Sequence, residues 1–344
     1  MAQHFLLNSK AKTLSTLRIA RLSDEEAFAF LCELRWGGQE QVVCPKCGVQ
    51  HKAYFISTRK QWRCKHCKHT FSITSGTIFA NHKLPLQTYL YAIALFVNAV
   101  KGISACQLSR DLCVQYKTAF ALSHKIRESL MVQRALFPLQ GEIHIDGTYV
   151  HAAPRPKNKK SERVDRRLKA NSNPNKRAVL VMRERYSAEE TAKNPLCVGA
   201  KKTLTFPILS ENTDTVKKLA TAYIAPNSRI HADENAAYDE LMVRYDLHRV
   251  NHQKEYRSDE GITNNLAESY FSRFKRMYYG QVHKMSNIYL DNYANEVAYR
   301  EDTRRLDNFT IFKDITNKCL ATSSDNHWKG YWQGHHRQVE RLVM

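Results

Sequence analysis

The sequence predicts an α/β protein: a mixed sheet flanked by helices, preceded by a small cysteine-knuckle module and a pair of helices. Three observations predict it. From Gly141 onward, short runs rich in β-branched and aromatic residues alternate with helical stretches, the pattern of a sheet with helices on its faces. Two Cys-x-x-Cys pairs stand close together near the N-terminus. Between these regions, residues 103–130 read as two helices joined by a short turn.

The chain has 344 residues, room for two or three domains and at least one sizeable core. Its 53 Lys and Arg against 33 Asp and Glu give a formal net charge of +20. That balance favours a polyanionic partner, nucleic acid first and an anionic membrane surface second. The N-terminus MAQHFLLNSKAK has no apolar core of the length a secretory signal needs. The longest apolar run, Tyr89–Val100, is 12 residues with Asn98 inside it, too short to span a bilayer. The expectation is a cytoplasmic protein without membrane attachment. Nine cysteines are an odd number, of which four are regularly spaced, so a metal site explains them better than a disulfide framework.

Taken in order, Ser23–Trp36 is an amphipathic helix. Ser23 with Glu26 three residues later forms a capping-box pattern, and Ala27, Phe28, Phe30, Leu31 and Leu34 make its apolar face. Cys44 and Cys47, then Cys64 and Cys67 after sixteen residues, are spaced as the two knuckles of a structural zinc ribbon. Four thiolates close a tetrahedral Zn2+ shell with no open position. His51, His66 and His69 are rival ligands that a complete thiolate set leaves unneeded. Ala53–Ser57 and Gln61–Arg63 can form the hairpin between the knuckles. Leu86–Val100 is an apolar helix. Ile103–Leu112, capped by Ser104, and Lys117–Leu130 read as a helix-turn-helix, with Lys117, Thr118, Lys125 and Arg127 as candidate DNA contacts. Plain packing of two helices is the alternative.

Gly141–Val150, GEIHIDGTYV, reads as a strand with Asp146 in its middle. A carboxylate among strand formers is costly unless it has a partner; the alternative is an Asp opening a turn with Gly147. Residues 154–177 then carry ten Lys or Arg against Glu162 and Asp165, with three prolines and four asparagines. They form either a solvated loop or a clamp on the DNA backbone through Lys157, Lys159, Lys160, Arg166 and Arg167. Lys176–Arg183 and Thr203–Ser210 are strands. Asp214–Ile224 is a helix with Thr213 as N-cap. Arg229–Ala232 is a strand delivering Asp233, Ala236–Tyr245 a helix, and Leu247–Val250 a last strand. Asn264–Met277 is a helix with Glu268 near its start.

An acid on a strand, a second after a later strand and a third on a following helix resemble the metal-holding set of ribonuclease-H-like domains. Such carboxylates suit hard cations, Mg2+ or Mn2+. The step from Asp233 to Glu268 is 35 residues, with Glu234, Asp259 and Glu260 as rival acids. The chain also resembles a family, the zinc-ribbon DDE transposases of bacterial insertion sequences, over roughly Ser23 to Phe312. The resemblance rests on Arg35-Trp36, the paired knuckles and the phrase from Phe71 to Phe79. It continues through Asp146-Gly147-Thr148-Tyr149-Val150, Asp233-Glu234 with Tyr238, and Asn264-Asn265-Leu266-Ala267-Glu268 followed by Phe271, Phe274, Lys275, Arg276, Gly280 and His283. It implies that Asp146, Asp233 and Glu268 are catalytic metal ligands. Lys275, seven residues on and so on the same helix face, would hold a DNA phosphate, with Arg276 beside it.

The resemblance further implies binding of double-stranded DNA at transposon ends and target, cleavage that leaves a 3′ hydroxyl, strand transfer, and a homodimer or higher oligomer on DNA. Its domains would be a helical segment 1–40, a ribbon 41–82, a helix-turn-helix 83–138, a catalytic domain 139–312 and a tail 313–344. Tyr299-Arg300-Glu301-Asp302 departs from the Arg-Tyr-Asn-type ending of relatives. The tail from Ser323, with Trp328, Tyr331, Trp332, His335 and His336, is expected to pack on the catalytic domain or to dimerise. Two other readings remain: a catalytically silent, domesticated DNA-binding protein, and a stand-alone ribonuclease-H-like nuclease acting on RNA or junctions.

Overall fold

Local capping chemistry sets most of the helix boundaries, and a computed structural model places them; it describes residues 7–150, 158–165, 168, 171, 173–249 and 263–342. Helix α1 spans Thr16–Ala20 and α2 Asp24–Trp36. The Ser23 hydroxyl accepts from the Glu26 amide, the Glu26 carboxylate accepts from the Ser23 amide, and left-handed Gly37 ends the helix. The ribbon follows as β1 (Val42–Val43), β2 (Gln50–His51), β3 (Tyr54–Ile56), β4 (Gln61–Arg63) and β5 (Thr70–Ser72). Then come α3 (Leu86–Asn98), α4 (Ala105–Asp111) capped by Ser104, and α5 (Tyr116–Val132). The remainder runs β6 (Glu142–Val150), β7 (Arg177–Arg185), α6 (Ala188–Lys193), β8 (Ala200–Ile208), α7 (Thr213–Tyr223), β9 (Arg229–Ala232), β10 (Asp246–Arg249), α8 (Asn265–Met277), α9 (Leu290–Thr303), α10 (Asn308–Ala321) and α11 (Asn326–Lys329). Ala236–Val243, expected as an α-helix, is a 3₁₀ helix. The cap of α7 is Asn212, whose side chain accepts from the Thr215 amide, and Thr213 is already helical. None of the helices among the described residues is long and apolar enough to cross a membrane.

The chain divides into two compact units. One comprises Met1–Arg134, Gly280–Val282 and Arg305–Gln338; the other Ala135–Tyr279, His283–Arg304 and Val339–Met344. In the first, α5 is a packed central helix. From Ala119 to Met131 each residue is buried or half-buried, while Tyr116 and Lys117 are exposed. Arg127 is 1% exposed and donates to the Ser123 hydroxyl and the Ile103 carbonyl, each at 3.1 Å. Helices α10, α4 and α3 pack on α5. The tail packs there too: Trp328 stacks on His124 with centroids 6.1 Å apart, Tyr331 on Phe120 at 6.1 Å, and Arg337 pairs with Glu128 at 2.8 Å. The aromatic part of the tail thus covers an apolar surface within the first unit, while its end, Val339–Met344, belongs to the second, where Glu340 pairs with Arg177 at 2.7 Å.

The second unit is built on a five-stranded sheet of order β10-β9-β6-β7-β8. β7 is antiparallel to both of its neighbours, β6 and β8, while β9 and β10 run parallel to β6. One face is apolar: Ile143, Ile145, Leu180, Met182, Phe206 and Ile230 pack with Val216 and Leu219 of α7 and Tyr238 and Leu241 of the 3₁₀ helix. By strand alternation the other face presents Glu142, His144 and Asp146 from β6, and Arg183 and His231 in register with His144. Helix α8 packs on β6 and β7 and α9 on β8.

Arg183 ties this polar face together. It is 1% exposed. Its guanidinium donates to the Thr203 hydroxyl at 3.1 Å, the Leu266 carbonyl at 2.7 Å, the Ser269 hydroxyl at 2.8 Å and the Glu301 carboxylate at 3.2 Å. It thereby joins β7 and β8 to the first turn of α8 and to α9. Removing one member of a buried ion pair leaves the other charge uncompensated, at a cost of about 3 kcal/mol or more. Arg183→Met should lower unfolding free energy by about 3 kcal/mol in a urea titration. Arg183→Lys should recover only a minor part, because an ammonium cannot span the same forked set of acceptors.

Candidate active site and zinc centre

Asp146 sits mid-strand on the polar face of β6, half-buried, with its Oδ1 accepting the Gly147 amide at 2.7 Å. Parallel pairing aligns Glu142 with Arg229 and His144 with His231. Continued two residues, that register sets Asp233, just past the end of β9, beside Asp146. Asp233 accepts the Asn235 amide at 3.0 Å. Glu268 lies in the first turn of α8, where the helix dipole favours a carboxylate. Asn264, fully buried, anchors that turn by donating from Nδ2 to the Ile145 carbonyl at 3.3 Å. The main chain beside Asp146 is thus bound to the helix that carries Glu268.

The charges register this convergence. The Asp146 carboxyl is pushed up to about 7, first by burial and then by the negative charge of Asp233, with Glu211 and Glu268 adding to the rise and the Gly147 amide opposing it. Glu211, which the sequence reading passed over, is a fourth acid here. Burial and the charge of Asp233 raise its carboxyl, against the hydrogen bond from Tyr238. Tyr238 is fully buried and its hydroxyl donates to Glu211. Gly147 makes room for this acid: a Cβ there would lie 2.6 Å from Glu211 Oε2. A glycine inside a strand is a sign of close approach, and it was the available signal for Glu211.

Two groups of three or more ligating side chains have donor atoms within 4.8 Å of one another among the described residues: the four cysteines, and Glu142 with His144 and His231. The acid set is more spread. Carboxylates serving two cations about 3.5–4 Å apart need not all meet at one point, and their oxygens are the hard donors Mg2+ or Mn2+ takes.

The cysteines are compact. Cys44 Sγ lies 3.6 Å from Cys67 Sγ and Cys47 Sγ 3.7 Å from Cys64 Sγ. Tetrahedral zinc with Zn–S bonds near 2.3 Å sets its sulfurs about 3.8 Å apart, so the four thiolates fit Zn2+. Each knuckle turns on a left-handed residue after its second cysteine, Gly48 and Lys68. The rival His51 is engaged elsewhere, accepting the Lys65 amide at 3.1 Å. Trp62, 1% exposed, packs between Phe28, Trp36 and Phe71 beneath the ribbon.

Residues 22–70 match the transposase zinc-ribbon domain and residues 138–302 match the ISXO2-like transposase domain. The chain carries the domain pair of an insertion-sequence transposase. Over 133 residues, 38% of the chain, it is 28% identical to an uncharacterized protein in transposable element ISH50 of Halobacterium salinarum, and the match spans 43% of that protein. No solved structure matches.

The remaining sequence-predicted residues fall in different settings. Lys275 and Arg276 are exposed in the last turn of α8, and Lys159 and Lys160 are exposed in the basic insertion. Lys157, Arg166 and Arg167, and the rival acids Asp259 and Glu260, lie outside the described residues. Glu234 is exposed. Lys117 is exposed and Thr118 half-buried at the start of α5. Arg127 is interior, and the Lys125 ammonium is pushed down by burial, with Asp325 of the tail opposing. Arg127, 1% exposed and bonded to Ser123 and Ile103, is not presented to a DNA groove in this packing, which corrects its reading as a DNA contact, while Lys125 is half-buried. Periodicity marks a helix as amphipathic but does not say that later segments wrap its polar side.

Chelating zinc, or Cys67→Ser, should unfold the ribbon and expose Trp62, seen as a red shift in tryptophan emission together with loss of about one zinc per chain. A second expectation concerns pH. A carboxyl whose native pKa lies above its unfolded value of about 3.9 binds its proton more tightly when folded, so its ionisation costs stability as pH rises from about 4 to about 7. Buried histidines such as His231, held down to about 4, tilt the curve the other way below about 6.5. Comparison with Asp146→Asn isolates the carboxyl. Without divalent cations the variant should exceed wild type by about 1–2 kcal/mol at pH 8, with the difference gone by pH 4.

Proposed function

We propose that this chain is the transposase that binds the terminal inverted repeats of its element and carries out divalent-metal-dependent DNA cleavage and strand transfer. The observation carrying the proposal is the pairing register that runs Asp146 and Asp233 side by side on neighbouring strands, with the Asp146 carboxyl raised to about 7 by burial first and then by the charges of Asp233, Glu211 and Glu268, in a chain that matches both transposase-type domains. Supporting it, the strand order β10-β9-β6-β7-β8, three antiparallel strands followed by two parallel ones, is the arrangement expected of a ribonuclease-H-like domain. It delivers the first acid from the central strand and the second from its parallel neighbour.

In this reading Asp146, Asp233 and Glu268 hold a pair of Mg2+ or Mn2+ ions. Bound there, the cations supply the charge that activates an attacking oxygen and stabilises a leaving one. The protein's own groups do the positioning. Asn264 and Arg183 fix the first turn of α8, so Glu268 is held against β6. Glu211, held by Tyr238, lies against β6 at Gly147 and Tyr149, next to Asp146. Lys275 and Arg276, exposed on the same helix, grip DNA phosphates, as do Lys159 and Lys160. A net charge of +20 draws DNA to the protein and makes binding salt-dependent. Two copies acting on two ends would complete the assembly.

The test is a nicking and strand-transfer assay on a terminal-repeat oligonucleotide with Mg2+. Asp146→Ala, Asp233→Ala and Glu268→Ala should each lower cleavage by at least ~10³-fold while end binding stays within ~3-fold of wild type. Binding by wild type without metal-dependent nicking would favour the catalytically silent DNA-binding protein. Full cleavage by Glu268→Ala would reassign the third ligand.

A further inference from the structure

On the polar face of the sheet, one step toward the N-terminal ends of the parallel strands from the acids, three histidines stand in one register row: His144 of β6, His231 of β9 and His248 of β10. The adjacent row holds Glu142, Arg229 and Asp246. His144 is 1% exposed and His231 5%. Their rings stack with centroids 4.8 Å apart, and both Nε2 atoms face one oxygen: Glu142 Oε1 is 3.2 Å from His144 Nε2 and 3.6 Å from His231 Nε2. Arg185, half exposed, also reaches that oxygen at 2.8 Å. His248 stacks on the far side of His231 and is paired with Asp246 at 3.0 Å.

We propose that Glu142, His144 and His231 form a second transition-metal site, distinct from the zinc ribbon and from the three acids, for a borderline cation such as zinc, cobalt or nickel. Two observations carry it independently. The first is geometry: the three donor atoms already lie within 4.8 Å of one another, and the two Glu142 distances bracket the spacing of about 3.3 Å between nitrogen or oxygen donors around tetrahedral zinc. The second is an orphan. Both ring nitrogens of His231, and Nδ1 of His144, are buried without a hydrogen-bond partner among the described residues, and buried polar atoms ordinarily have one. Of these orphans, a cation seated at Glu142 Oε1 would give His231 Nε2 the partner it lacks, and it would also engage His144 Nε2, which now bonds Glu142 at 3.2 Å.

The donor set selects the metal class. Two imidazoles and one carboxylate suit zinc and the later transition metals, whereas Mg2+ prefers an all-oxygen site. Three protein ligands leave a fourth position open. Arg185 leaves the shared oxygen by swinging into solvent, which its exposure permits. The ion would clamp β6 to β9 two residues below Asp146 and Asp233, fixing the spacing of the strands that carry both acids. The proposal stands apart from the catalytic reading, since it asks nothing of DNA.

Cobalt titration of the full-length protein tests it. In wild type, with excess Mg2+ occupying the carboxylates, the first equivalent of Co2+ should give the intense thiolate-to-metal absorption of the ribbon. A second should add weak visible ligand-field bands without further thiolate absorption. Metal analysis of the Asp146→Asn, Asp233→Asn protein should return two cobalt ions per chain, falling to one when His231→Gln is added, with the thiolate band and circular dichroism unchanged. Saturation of wild type at one equivalent, with thiolate absorption alone, would overturn the site. So would a second equivalent that survives His231→Gln, or one that disappears on neutralising the two aspartates.

Discussion

A single buried guanidinium, that of Arg183, connects most of what positions the candidate active site. It lies mid-sheet yet bonds to two strands' worth of structure and to two helices. A charge so placed is tolerable only if its donors are matched, and here a carboxylate, a carbonyl and two hydroxyls match them. The same group explains a stretch that departs from the family pattern. Glu301 binds Arg183, Arg273 and Arg304, and Asp302 accepts the Thr203 amide at 2.9 Å. The pair therefore closes α9 onto β8 around the arginine. Burial pushes the Asp302 carboxyl up to about 7, so this network too is held at some electrostatic expense.

The sheet divides its labour between faces. The apolar face, packed against α7 and the 3₁₀ helix, supplies the burial that stabilises the unit. The polar face carries acids and histidines whose desolvation costs stability. Asp146, Glu211 and Asp233 repel one another there, and the surrounding fold must hold them in place. Such local expense in an otherwise consistent structure is where functional groups are expected. In a strongly basic chain, it makes a small negative cluster within a positive protein.

Legibility followed the range of the interactions. The Ser23–Glu26 capping box, the four-cysteine knuckles and the strands around Asp146 and before Asp233 are written in a few adjacent residues, and all were readable. So was α8, whose boundaries match to within one residue. What escaped depends on distant partners. The fate of Arg127 is decided by a carbonyl 24 residues away and by packing from α10 and the tail. Glu211 becomes part of the acid group only because Gly147 and Tyr238 come to it in space. Asn212 and Thr213 are both good caps side by side, and propensity does not choose between neighbours. Helix α6, opened by a Ser187–Glu190 box, is six residues long and carries too little pattern to stand out.

The first unit draws on residues before position 135 and after position 304, with Ser129 of α5 touching Cys319 of α10 across 190 positions. Its core is therefore completed by segments that follow the entire sheet in sequence and so leave the ribosome after it. Until α10 and the tail arrive, α5 presents apolar surface without its cover. The sheet, by contrast, is encoded in one nearly continuous run and is free to form earlier. Order of synthesis thus favours assembly of the acid-bearing sheet before closure of the first unit, and a message broken short of α10 leaves that unit without its own keystone.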